Sequence, residues 1–138
     1  NMTLYEGFDL MFGSTPVPNK YIVSGGLKTT PNQRMEESAE RDGNGDLHRE
    51  TLDNYKTSIE WKVPTLNLAE KIALQKIINS GMVIEKERKV LLTYWNEETN
   101  DYSQGYFYIS DIAWTTTYIN EKTNDKEYDS VTIKLTEY

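Results

Sequence analysis

The residues best suited to chemistry lie between Arg41 and Arg49. Asp42, Asn44 and Asp46 alternate with glycines in Asp42-Gly43-Asn44-Gly45-Asp46, the spacing of the first oxygen ligands in a calcium loop. The rest of such a loop is missing. Its sixth position, normally glycine, is Leu47, and its twelfth, normally a bidentate glutamate, is the shorter Asp53. Asp, Asn and Gly also make polar turns, and Asn44-Gly45 is a hairpin dipeptide. The turn is the favoured reading, and no metal is expected. His48 is the sole histidine, and there is no cysteine, so neither a multi-histidine nor a thiolate zinc site can form. Glu36-Glu37 and Glu97-Glu98 are acid pairs in polar stretches. Glycoside hydrolysis needs two carboxylates at a fixed separation across a cleft, which loop acids do not supply. No Gly-x-Ser-x-Gly, P-loop or dinucleotide fingerprint occurs. The expectation is a protein that is not an enzyme and takes no cofactor or small-molecule substrate.

The elements that hold these residues belong to one β domain. A chain of 138 residues is near the commonest domain size and buries a sizeable core without disulfides. With 22 acidic and 15 basic residues its formal charge is −7, and no Lys/Arg run offsets that, so duplex binding by phosphate neutralisation is not expected. No segment approaches the ~20 apolar residues that span a bilayer. The start lacks a positive n-region and a cleavage pattern, so no signal peptide is expected, and Asn1 before Met2 reads as a tag remnant. Ten Tyr and three Trp against three Phe suit half-buried sheet faces and subunit contacts.

From Tyr55 to Val63 the chain alternates without a break. Tyr55, Thr57, Ile59, Trp61 and Val63 point one way, and Lys56, Ser58, Glu60 and Lys62 the other. That is the signature of an antiparallel strand wet on one side. Pro64 stops it. Asn67 and Glu70 then approximate a capping box for one helix ending near Ser80, with Gly81 as a left-handed cap. Leu66, Ala69, Ala73 and Ile77 form its apolar stripe, widened by Ile72, Leu74 and Ile78. Strands are expected at 9–12, 20–24, 52–63, 86–95, 104–110, 112–119 and 128–138. In the last, Val131, Ile133 and Leu135 form the core face. Between Leu27 and Leu47 the only apolar residues apart from Pro31 are Met35 and Ala39, so residues 27–47 read as a long polar loop or arm. The fold class is mainly β with one α-helix: an antiparallel β-sandwich or partly open barrel, a helix packed at one side, and a long arm between early strands.

Arg41-Asp-Gly-Asn-Gly-Asp-Leu-His-Arg-Glu-Thr, Lys56-Thr-Ser-Ile-Glu-Trp, the helix from Leu66 to Ile78, Gly105-Tyr-Phe-Tyr-Ile-Ser-Asp and the ending Ser130-Val-Thr-Ile-Lys-Leu-Thr-Glu together resemble a family of small phage and prophage proteins. The likeness runs from about Lys20 to the end, and the element order is similar to the tail-tube fold of tube and distal-tail proteins. The resemblance implies a structural role in a phage tail, assembled in the bacterial cytoplasm. It further implies a homo-oligomer such as a hexameric ring, neighbouring tail proteins as partners, and a lumen through which DNA slides. Residues Asn1 to Asn19 and the loops at 96–103 and 120–126 are longer than the pattern, which leaves the position in the virion open.

The residues agree with an assembling arm, because ordering a polar arm costs about 1–2 kcal/mol per residue that contacts with a neighbour can offset. The expected subunit interface is Arg34, Arg41, Asn44, Asp46, Arg49, Tyr106, Tyr108 and Trp114. Charge pairs would set register and the aromatics would supply affinity. The alternative reading is a monomeric β-barrel binding module whose Tyr- and Trp-lined pocket holds a small apolar ligand.

Overall fold

Strand alternation decides which residues enter the core. Thr57, Ile59, Trp61 and Val63 are buried, while Glu60 and Lys62 are exposed and Lys56 and Ser58 lie half-way. The computed structural model describes residues 4–41 and 47–138, with side chains described outside 34–55.

The elements in order are β1 (Leu10–Phe12), β2 (Thr15–Pro16), a 3-10 helix (Asn19–Tyr21), β3 (Leu27–Arg41), β4 (Leu47–Val63), β5 (Leu66–Asn67), α1 (Leu68–Ser80), β6 (Met82–Ile84), β7 (Lys89–Asn96), β8 (Asp101–Ile109), β9 (Thr116–Asn120), β10 (Asp125–Tyr128) and β11 (Val131–Glu137). Eight strands form one open sheet in the order β2-β1-β7-β8-β11-β4-β3, with β6 beside β7; a second sheet runs β5-β10-β9. Every pairing is antiparallel. The fold is therefore mainly β with one helix, as the sequence pattern requires.

One core lies on the inner face of the large sheet. Phe12, Trp61, Leu74, Leu92, Phe107 and Ile133 are fully enclosed in it. The indole Nε1 of Trp61 donates to the Tyr21 carbonyl at 2.9 Å, so its polar handle is satisfied at no loss of packing. The capping box forms as read: Asn67 Oδ1 accepts from Glu70 N at 2.8 Å and Glu70 Oε1 accepts from Asn67 N at 3.0 Å. No helix among the described residues is long and apolar enough to cross a membrane.

Several local expectations are corrected. Residues 20–24 are not a strand. After Pro18 (φ −59°) the chain turns through the 3-10 helix, with Tyr21 N bonded to Pro18 O and Ile22 N to Asn19 O. The helix is rotated from the expected stripe. It buries Leu74 and Ile78, while Ala69, Ile72 and Ala73 are exposed, and it packs against β1, β2, β5 and β10. Gly81 is not left-handed, having φ −97°. Its glycine answers to space: a Cβ there would stand 2.9 Å from Gly13 N and from Phe12 Cβ. Residues 110–115 are irregular, and strand begins only at Thr116.

The largest correction concerns the arm. Residues 27–41 are a 15-residue strand paired with β4, and the turn of the polar run, Asp42–Asp46, lies outside the described residues. Three register shifts interrupt the ladder, between Thr30 and Gln33, Arg34 and Glu36, and Glu36 and Ser38. A β3 dense in charge and bulges, with few apolar residues, is what an exposed sheet edge tolerates. It hid the strand from any reading by hydrophobic alternation.

Candidate functional site

β11 pairs with β4 only from Ser58 to Val63. Beyond that, among the described residues, β4 pairs with β3 alone, and the β3–β4 register continues from Gln33 opposite Lys56 to Arg41 opposite Leu47. At about 3.3 Å per residue this is roughly 30 Å of two-stranded ribbon past the end of the sheet.

The ribbon has a firm root. Where β11 stops, the Glu137 side chain takes over from its backbone: Oε1 accepts from Thr57 N at 2.9 Å. The buried Thr57 hydroxyl shares a 2.9 Å hydrogen bond with Tyr94 Oη and accepts from Asn32 N at 3.1 Å. Asn32 has φ 51°, a left-handed conformation that asparagine tolerates better than most residues, and it sits at the first register shift. The root thus fixes both strands at one level.

Beside the root, on the outer face of the sheet, lies a tyrosine cluster. Tyr106, Tyr108 and Tyr138 are 48%, 43% and 46% exposed, and the intervening Phe107 and Ile109 are buried. Lys89 Nζ stands 4.9 Å from the Tyr106 ring centre and 4.7 Å from that of Tyr138. Lys56 Nζ donates to the main-chain oxygen of Tyr138, and Tyr138 N donates to Tyr106 O at 3.0 Å. Such cation–π contacts hold flexible lysines over aromatic faces at a surface.

The expected interface residues separate into three groups. Tyr106 and Tyr108 share the outer face next to the ribbon root. Arg34 and Arg41 lie on β3 and Arg49 on β4, in the ribbon strands. Asn44 and Asp46 fall outside the described residues. Trp114 is elsewhere, half-buried on the helix side, 6.0 Å from Tyr128 in an edge-on pair and with Lys71 Nζ 5.3 Å from its ring centre. It borders an open cleft of about 340 Å³ that Gln75, Asn79, Arg88 and Asp111 also line.

For chemistry the geometry offers little convergence. His48 lies opposite Glu40 in the ribbon register. Glu97 and Glu98 are exposed in the β7–β8 turn, where Asn96 Oδ1 accepts from Glu98 N at 2.9 Å. Among the described residues no three His, Cys, Asp or Glu are grouped to hold a metal ion. Glu137 and Lys89 went unnoticed in the sequence because only the register of three strands brings them to the root. No curated protein and no solved structure matches this chain. A model described as a family of unknown function, DUF6711, matches residues 2–138, and the chain belongs to that family.

Proposed function

We propose that this chain is a non-enzymatic structural subunit of a phage tail or prophage particle, assembling into a ring or tube by laying its β3–β4 ribbon on a neighbour. One observation carries the reading. A ribbon of about 30 Å has no third strand beyond the sheet among the described residues, and an isolated two-stranded hairpin is marginal in water. A chain that roots such a ribbon with hydrogen bonds around the buried Thr57 and then extends it has a use for it outside its own core. The outer-face tyrosines add amphipathic surface of the kind that anchors protein contacts. The likeness of the motif order to small phage proteins supplies the particle class.

Negative-stain microscopy of the concentrated chain tests this. Rings or stacked rings are expected. A chain that stays single at every concentration would overturn the reading, and saturable binding of a small apolar ligand would then favour a monomeric binding module.

A further inference from the structure

The chain as a whole is acidic, yet one surface reverses the sign. Strand register brings lysines from distant parts of the sequence to the outer face of the large sheet. Lys28 on β3 lies opposite Glu60 on β4, and Glu60 lies opposite Lys134 on β11. Lys62 stands one step along on the outer face of β4, and Lys56 and Lys89 flank Tyr138. Among the residues whose side chains are described, the outward strand positions carry these five lysines and one acidic side chain, Glu60. Lys28, Lys62 and Lys134 are exposed, and among the described residues they make no ion pair; the pair present is Arg88–Asp111 at 3.6 Å.

The ribbon strands carry the opposite balance. Within 34–41 and 47–55 stand Glu36, Glu37, Glu40, Glu50 and Asp53 against three arginines. The register pairs Ser38 with Glu50 and Glu40 with His48, alternating with Ala39–Arg49 and Arg41–Leu47. The two-residue period of a strand therefore sorts Glu40 and Glu50 into one set and Arg41 and Arg49 into the other.

We infer that the lysine face of the large sheet is the docking surface for the acidic set of a second copy's ribbon. The inference rests on the assembly reading above and names the surface that the ribbon meets. Complementary charge of this kind selects partner and orientation more than it adds affinity. A nucleic acid fits the face less well. Lys89 already lies over the Tyr106 and Tyr138 rings that bases would stack on, and the formal charge of −7 repels a polyanion.

The test is a charge swap read by sedimentation velocity at low salt. The face variant K28E/K62E/K134E and the ribbon variant E40K/E50K are each compared with wild type and with their equimolar mixture. Each variant alone is expected to self-associate roughly tenfold more weakly, the order that reversing a few exposed charge pairs gives. The mixture is expected to recover association, because each variant then offers the sign the other needs. Circular dichroism checks that both remain folded; the three lysines are exposed, so their reversal leaves the core intact. Wild type that assembles while the face variant assembles equally well overturns this docking assignment and leaves the assembly reading standing. Wild type that never assembles overturns both. Salt-sensitive binding of a single-stranded oligonucleotide, abolished in the face variant, without self-association assigns the face to nucleic acid and likewise overturns the inference.

Discussion

Glu137 Oε1 accepts a hydrogen bond from the backbone N–H of Thr57 at 2.9 Å, at the level where β11 ceases to pair with β4. A side-chain carboxylate thus replaces the next rung of the ladder. The sheet ends there without leaving a buried donor unpaired, and the ribbon continues alone. Glu137→Ala removes the acceptor and should cost about 1–3 kcal/mol, the penalty for an unsatisfied buried donor. Urea denaturation measures the loss, and faster amide exchange at Thr57 locates it at the root. Glu137→Gln keeps an acceptor and should lose less.

Gly81 closes the helix against the first hairpin. An added Cβ would stand 2.9 Å from Gly13 N and Phe12 Cβ and 3.0 Å from Leu91 O, all of them backbone or first-carbon atoms that cannot swing aside. Gly81→Ala should destabilise by about 1–3 kcal/mol through overpacking, although alanine suits its φ of −97°. Thermal denaturation checks this; an unchanged melting temperature would contradict the packing described here.

Asn67 starts the helix with both halves of a capping box. Asn67→Ala should cost about 1 kcal/mol, and Asn67→Asp should restore most of it. Chemical denaturation of the three chains measures the differences.

Tyr5 ties the N-terminal segment to the sheet. Its hydroxyl donates to Asp9 Oδ1 at 2.5 Å, and its ring stands edge-on to Trp95 with centres 5.1 Å apart. That hydrogen bond first, then desolvation and the charge of Asp9, push its pKa from 10.0 up to about 12. The folded state holds the proton more tightly. The contact therefore contributes fully below about pH 10 and is lost as pH rises toward 12. An alkaline titration followed at 295 nm should show a late tyrosine step that Tyr5→Phe removes. Loss of a step near the ordinary tyrosine value instead would contradict the contact.

Much of the core was legible in the sequence. Residues 55–63 alternate because one face of β4 is buried and the other wet, and Phe107 and Ile109 declare the same pattern against Tyr106 and Tyr108. The capping box is a local motif and needs no tertiary context. The ribbon was not legible as strand. Glu36 to Arg41 carry no hydrophobic period, and what marks them as β is pairing with residues up to fifteen positions along the chain. The helix face was misread because Ala69 and Ala73 satisfy the helical spacing as well as Leu74 and Ile78 do, and only the sheet beneath chooses between them. The candidate site was legible as a polar arm plus surface tyrosines. Its root and its lysine face depend on register among β3, β4, β8 and β11, which a single sequence does not fix.

The central claim is that the ribbon exists to join copies of the chain. The direct measurement replaces residues 35–54 with an Asn-Gly turn, joining the registered pair Arg34 and Tyr55, and weighs the particles by light scattering beside wild type. The account predicts that the shortened chain keeps its Thr57–Glu137 root, melts within a few degrees of wild type and remains a single chain at concentrations where wild type forms rings. A shortened chain that assembles as readily as wild type would contradict it.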